Sequence, residues 1–383
     1  LMLADMFYGD YSRNSFTNNL ETGLSLKNAD NVEIIGNVIA GNGINGLNVQ
    51  ESRALVKGNQ ITDNAERGIG VQSFDGLITE NNLADNGLYA IDLDGAGDVA
   101  APANWWGGSA PEKVVFDKRN DPSRGKVLHE TPRELPYRFT WPLQNITTDT
   151  TWRGNIVVTK NSSVMAGTKL TIAPNTKVEF SRGTGLLIKG RMIAIGKPAG
   201  KIVFTSLEKK AASDWDEIQL EYATGSEISN CVIEYATWGL HSHFTNLSIS
   251  DTLFNNNFGG MRFRSGPVTI KRSTFRNNSI GIRAYLGNAV ISENIITGNE
   301  TGIFVREKGG GLTITRNNFS NNSNYNIRVG DFNNEDVPAR DNWWGSMDPL
   351  ATLFDGRREP GIGNVLYEPF QREPFKMDTG KSP

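Results

Sequence analysis

Short runs in which apolar and polar residues alternate return along the chain at a nearly constant interval. Gly23-Leu24-Ser25-Leu26, Gly46-Leu47-Asn48-Val49, Gly68-Ile69-Gly70-Val71 and Ala90-Ile91-Asp92-Leu93 begin 23, 22 and 22 residues apart. In the second half Gly239-Leu240, Gly260-Met261, Gly281-Ile282 and Gly302-Ile303 are each 21 apart, and Asn326-Ile327 follows 24 further on. Alternation with period 2 puts successive side chains on opposite faces of a strand. A single such coil cannot bury its inner face. Stacked about 4.8 Å apart, successive coils pair as parallel strands and merge their inner residues into one apolar column. The pattern therefore predicts an all-β chain of two tandem right-handed parallel β-helices, solenoids with about 21–24 residues per coil. Asparagines at the turns, as in Asn81-Asn82, Asn255-Asn256-Asn257 and Asn277-Asn278, suit left-handed backbone and are expected to bond their equivalents above and below. Several also read as glycosylation sequons, but the turn role covers every copy.

The two halves share more than a period. Asn104-Trp105-Trp106-Gly107 returns as Asn342-Trp343-Trp344-Gly345, an offset of 238 (342 minus 104). The same offset carries Pro111 to Pro349, Phe116-Asp117 to Phe354-Asp355, Arg119 to Arg357 and Glu130 to Glu368. An open solenoid end exposes strand edges, so a Trp pair followed by an irregular, Pro-rich segment reads as a cap. His129, whose counterpart is Tyr367, belongs to that segment. The expected organisation is a first β-helix over 1–142 with its cap at 103–142, and a second over 143–383 with its cap at 341–383. Carried back to Leu1, the offset lands on Gly239, several coils into the second helix. The first helix is thus expected to be N-terminally incomplete, with the missing coils and an export signal upstream.

The net charge of −3 provides no global basic field, and no partner among nucleic acids is expected. No apolar run is long enough to span a membrane, so direct membrane insertion is not expected either. The single cysteine, Cys231, excludes an internal disulfide and reads as a small buried hydrophobe.

The coils and the Asn-Trp-Trp-Gly ending resemble secreted right-handed parallel β-helix repeat proteins of the pectate-lyase-like class. Gly167 to Phe180 and Ala194 to Ser206 resemble that family's first coils. The resemblance implies a secreted, cell-surface or periplasmic location. It implies little about activity, because the fold carries lyases, hydrolases, epimerases, adhesins and inert surface proteins alike. The chain shows no Asp-Pro-His-Asp stretch as in mannuronan epimerases, no clustered aspartates as in polygalacturonases, and no Arg-Pro pair as in calcium pectate lyases.

Function must then come from outward positions. Down the main strand of the second helix the first outward column reads Gln219, His241, Arg262, Arg283, Phe304, Arg328, and the second reads Glu221, His243, Arg264, Tyr285, Arg306, Gly330. Like charges repeated at strand spacing repel, and Glu217, Glu221 and Glu307 offset only part of this. Arginine forks match carboxylates or sulfates, and Tyr285 or Phe304 can stack on a sugar ring. The expected ligand-binding residues are Gln219, Glu221, His241, His243, Arg262, Arg264, Arg283, Tyr285, Arg306 and Arg328. A plain solvated face is the competing reading.

The leading expectation is an extracellular or cell-surface, non-catalytic module that binds an acidic polysaccharide or a partner protein, or spaces a surface assembly. The alternative is a polysaccharide lyase or epimerase acting on a uronate polymer. It would take its base, acid and neutralising cation from His241, His243, Tyr285, Arg262, Arg264 and Arg283. The first helix offers Ser25, Asn48, Gly70, Asp92 and Lys27, Gln50, Gln72, Asp94 at these positions, a nearly neutral surface. No cofactor is expected, and Asp92, Asp94 and Asp98 read as an ordinary acidic turn; calcium is the alternative there, because the Asp-x-Asp-Gly spacing resembles a calcium loop without its bidentate glutamate.

Overall fold

The computed structural model describes residues 1–377, and the chain divides into two compact units, Leu1–Leu143 and Gln144–Pro383. Residues 378–383 of the expected cap 341–383 lie outside the described residues. Both units are parallel β-solenoids, and the strands stack in the register that the sequence period predicts. In the first unit Leu24, Leu47, Ile69 and Ile91 are successive backbone partners, all 0% exposed. In the second, Leu240, Met261, Ile282, Ile303 and Ile327 continue one column in the same way, again at 0%.

Each coil of the second unit contributes a strand to each of three parallel sheets. One coil, for example, supplies Gly259–Arg264, Pro267–Lys271 and Thr274–Arg276. Inward residues of the third kind of strand form a column through Phe254, Phe275, Ile296 and Phe319, with Phe254 and Phe275 stacked 4.5 Å apart. Each fully buried phenylalanine contributes about 1.5–3 kcal/mol of hydrophobic stabilisation, so this column, together with the aliphatic one, joins the coils.

The turns divide between two residues a task that sequence reading had given to one. The left-handed position lies just before the ladder asparagine and accepts Gly36, Gly58, Glu80, Asn256, Asn277 or Arg316. The following asparagine is buried and carries the ladder. The Asn278 side chain donates to Phe254 O at 3.2 Å and to Asn299 Oδ1 at 3.0 Å, while its own oxygen accepts from the Asn257 backbone and side chain. Asn37, Asn59, Asn81 and Asn104 repeat that arrangement in the first unit. Buried amides with every bond made lock the register, because a slip would orphan several at once.

In the second unit a Trp ends the phenylalanine column, while the other inward columns run on to Val115 and Leu353. Trp106 and Trp344 are 2% and 1% exposed, and Trp344 lies flat on Phe319 at 4.9 Å. Trp105 and Trp343 make single bridges to Asn82 and Asn318 on one side and to Arg133 and Gln371 on the other. The following segment returns to the last strand by paired bonds, Tyr137 with Asn82 and Phe375 with Asn318. Asp117 and Asp355 tie the segment internally to Arg119 and Arg357. Burial would raise the Asp117 carboxyl, but Arg119 and two backbone N–H groups hold it below its ordinary value. Cys231 is buried, its thiol pushed up to about 12 by desolvation, and so is inert.

Candidate functional site

Strands Trp215–Glu221, Ala236–His243, Gly259–Arg264, Ile280–Tyr285, Thr301–Glu307 and Tyr325–Val329 lie side by side in one sheet of the second unit. Backbone register places Gln219, His241, Arg262, Arg283, Phe304 and Arg328 in one outward column. Phe354 continues it. The second column runs Glu221, His243, Arg264, Tyr285 and then departs from expectation. A bulge between Ala284 and Tyr285 sets Tyr285 opposite Glu307 rather than Arg306. One extra residue shifts every later side chain, which a count of positions cannot reveal. Arg306 nevertheless reaches back over Tyr285, with its guanidinium carbon 5.4 Å from the ring centre.

His241, His243, Arg262, Arg264, Arg283, Tyr285 and Arg306 line a concavity of about 340 Å3, with Phe263 at its wall. Gln219 and Glu221 stand one strand before the histidines, and Arg328 stands beyond; none of the three lines it.

At one end Glu217 anchors a hydrogen-bonded chain. Its carboxylate lies 2.8 Å from His241 Nδ1 and accepts a bond from an Arg262 terminal nitrogen at 2.8 Å. His241 Nε2 meets His243 Nε2 at 2.7 Å, so one proton lies between the two rings. Burial works to raise Glu217, but His241 and Arg262 hold it below its ordinary value. Desolvation, followed by His241 and Arg262, lowers His243, which is therefore neutral near pH 7. Trp238 backs Arg262 at 5.1 Å. Gly259 makes room for that indole, since a Cβ there would stand 2.2 Å from a ring carbon.

The remaining arginines have a different environment. Among the described residues, Arg262 is the one arginine of this face in an ion pair. Arg264 lies between Phe244 and Tyr285 (5.8 and 4.9 Å), Arg306 between Tyr285 and Phe332 (5.4 and 5.6 Å), and Arg328 between Phe304 and Phe354 (5.7 and 5.3 Å). Arg283 lies over Phe304 at 5.8 Å. Burial first, and then the charges of Arg306 and Arg262, disfavour the Arg283 cation. Aromatic rings thus flank these guanidinium groups, and among the described residues none of the four is ion-paired. Phe244, Phe332 and Phe354 were not among the sequence candidates. Their only signal was an aromatic residue at or just past a strand end.

Asp92, Asp94 and Asp98 do not surround a common centre. Asp92 pairs with Arg67 at 2.6 Å and with Arg124 at 2.7 Å, Asp94 with Arg124 at 2.9 Å, and Asp98 accepts the Lys126 backbone N–H. Arginines thus pair with the Asp92 and Asp94 carboxylates and a backbone N–H with that of Asp98, which makes this an ion-paired turn. Among the described residues no cluster of three or more His, Cys, Asp or Glu side chains is placed to hold a metal. His129 sits in the first cap, with Nε2 2.8 Å from Arg119 and its ring edge-on to Trp106.

A parallel solenoid with a cation-rich outward sheet is the class of protein that this architecture defines. A family model described as "Right handed beta helix region" matches residues 7–104 and 164–343, and the chain belongs to that family. Among curated proteins, none matches it.

Proposed function

We propose that this chain is a β-helix module whose second unit binds an acidic polysaccharide along its outward sheet. The observation that carries the reading is the set Arg264, Arg283, Arg306 and Arg328, each against at least one aromatic ring and, among the described residues, with no ion-paired carboxylate. A solvated face gains nothing from keeping like charges at strand spacing without counter-charges, whereas an anionic ligand relieves the repulsion. Carboxylates or sulfates would accept hydrogen bonds from these guanidinium groups, which Tyr285 and Phe304 hold apart. Such a module works where these polymers occur, at the cell surface, in the periplasm or in the medium. A partner protein with an acidic stripe, or a spacer role in a surface assembly, would ask less of this face.

Retention on a polyanion matrix tests the reading. The variant Arg264→Ala with Arg283→Ala should elute at markedly lower salt than the unaltered protein. Equal elution at low ionic strength would remove the proposal.

The Glu217, His241, His243 chain favours one second reading, elimination or epimerisation on a uronate. A neutral histidine beside cations that can neutralise a carboxylate is suited to taking the α-proton. In elimination that C–H bond breaks, a C=C bond forms and the glycosidic oxygen leaves with a proton from an acid such as Tyr285. Incubation with a panel of polyuronates, followed by ultraviolet absorbance of the unsaturated product, decides it. A flat trace across the panel, with no change in uronate composition, would leave binding alone.

A further inference from the structure

The free arginines alternate with aromatic residues in a checkerboard. Strand Ile280–Tyr285 presents Arg283 in the first outward column and Tyr285 in the second. The next, Thr301–Glu307, presents Phe304 first; past the bulge Glu307 takes the backbone register of the second column, and the Arg306 guanidinium reaches that column by lying over Tyr285. Tyr325–Val329 returns to Arg328 in the first column, and Phe354 follows. On the near side, Gly259–Arg264 presents Arg264 in the second column, while Arg262 of the first is already taken by Glu217. The uncompensated cations, taken strand by strand, are therefore Arg264, Arg283, Arg306 and Arg328. They step from side to side, one per coil.

We propose that this face is built for a linear polyuronate in a two-fold ribbon, lying along the stacking axis with one carboxylate per sugar on alternating edges. The proposal rests on the reading of the face as an acidic-polysaccharide site. Coils repeat every ~4.8 Å, and two residues along a strand span ~6.6 Å. A diequatorial 1,4-linked pyranose chain advances by close to one strand spacing per ring and turns each ring over relative to the last. Its carboxylates thus alternate between the two edges of the ribbon, in step with the zigzag of guanidinium groups. Tyr285 and Phe304 stand between the guanidinium groups, each with two arginines over its ring, and so set the spacing of the cations instead of offering their faces to the sugars. Two rings flank Arg264, Arg306 and Arg328 and one lies under Arg283, so part of the side-chain freedom is already lost before the polymer docks. A glycan with one acid per two sugars would meet only every other arginine.

Calorimetric titration with β-1,4-glucuronan oligomers, from dimer to hexamer, and with hyaluronan fragments of equal length tests this. Affinity should climb from dimer to tetramer and then level, and the glucuronan hexamer should bind about tenfold tighter than the hyaluronan hexamer. The exchange Arg283→Phe with Phe304→Arg keeps charge and composition but puts two cations on one strand. It should cost about tenfold on glucuronan while leaving retention on a heparin matrix unchanged. Equal affinity for the two polymers, or an exchange variant that binds glucuronan as the original does, overturns the alternation and leaves the general polyanion reading standing. Absence of binding to every polyanion overturns both. If circular dichroism shows the exchange variant unfolded, the comparison of polymers on the unaltered protein decides alone.

Discussion

The strands Tyr89–Leu93 and Tyr325–Val329 occupy the same place in their two units, each the last coil before a Trp pair, yet their outward surfaces do opposite things. Asp92 pairs with Phe116 across the ladder as Arg328 pairs with Phe354. Both phenylalanines pack against a tyrosine, Tyr89 at 5.0 Å and Tyr325 at 5.3 Å. Both also carry a guanidinium on the ring. In the first unit it is Arg124, from the segment that follows the Trp pair, 4.5 Å from Phe116 and engaged with Asp92 and Asp94. In the second it is Arg328 from the strand itself, 5.3 Å from Phe354 with no acid beside it. The scaffold has kept the cation on the ring and dropped its neutralisation. Ion pairing is a property of the face, separable from the coil that carries it.

The contrast can be broken most severely through what both units share. Asn278→Ala and Asn59→Ala should each destabilise their own unit by about 3 kcal/mol, because each leaves several buried polar groups unpaired. Denaturant titration followed by hydrogen exchange, which separates the units, would show it. A loss under about 1 kcal/mol in either unit would mean that the amide ladder does not lock the coils.

Next comes the difference itself. Arg283→Ala with Arg328→Ala should lower affinity for an acidic polysaccharide by roughly tenfold or more, at the ~1.5–3 kcal/mol of a charge-assisted bond. Arg67→Ala with Arg124→Ala, in the first unit, should leave affinity unchanged. Similar losses from both pairs would dissolve the distinction between the faces.

A smaller, opposite effect is expected from Asp92→Asn. It removes the carboxylate that holds Arg67 and Arg124, and should raise retention on a polyanion matrix by about twofold. No gain would show that freed arginines alone do not make an anion site.

The mildest test is pH. His243 faces His241, Arg262 and Arg264, which oppose its protonation, and Glu221, which favours it, with desolvation the largest influence. Its folded value lies below the ordinary ~6.5, so stability held above that value is lost as pH falls below it. An anionic ligand reverses the preference by favouring the charged ring. Binding should therefore strengthen as pH falls below about 6.5, until carboxylates on the polymer begin to protonate near ~4. His243→Gln should flatten that rise, read by titration calorimetry across the range. A rise that persists in the variant would assign it to another group.

Much of this was legible without coordinates. Coil length, the inward columns from Leu24 to Ile91 and from Leu240 to Ile327, and the outward column from Gln219 to Arg328 follow from period-2 alternation repeated at constant spacing. Strand geometry leaves such a pattern one economical packing, with every inner face against its copy in the next coil. The Trp pairs could be located because duplication marked them.

What only the tertiary structure decided involves contacts between coils made by long side chains. Glu217 binds His241 and Arg262 from 24 and 45 residues away, and no local pattern encodes that reach. The bulge before Tyr285 shifts Glu307 into its column through one added residue, which alternation cannot register. Asp92 left calcium open as an alternative to an acidic turn because its neighbours in sequence are oxygen donors, whereas its neighbours in space are Arg67 and Arg124. The sequence determined where each coil points its residues. Which charges remain unpaired was settled by packing, because pairing depends on side chains that meet only once the coils are stacked.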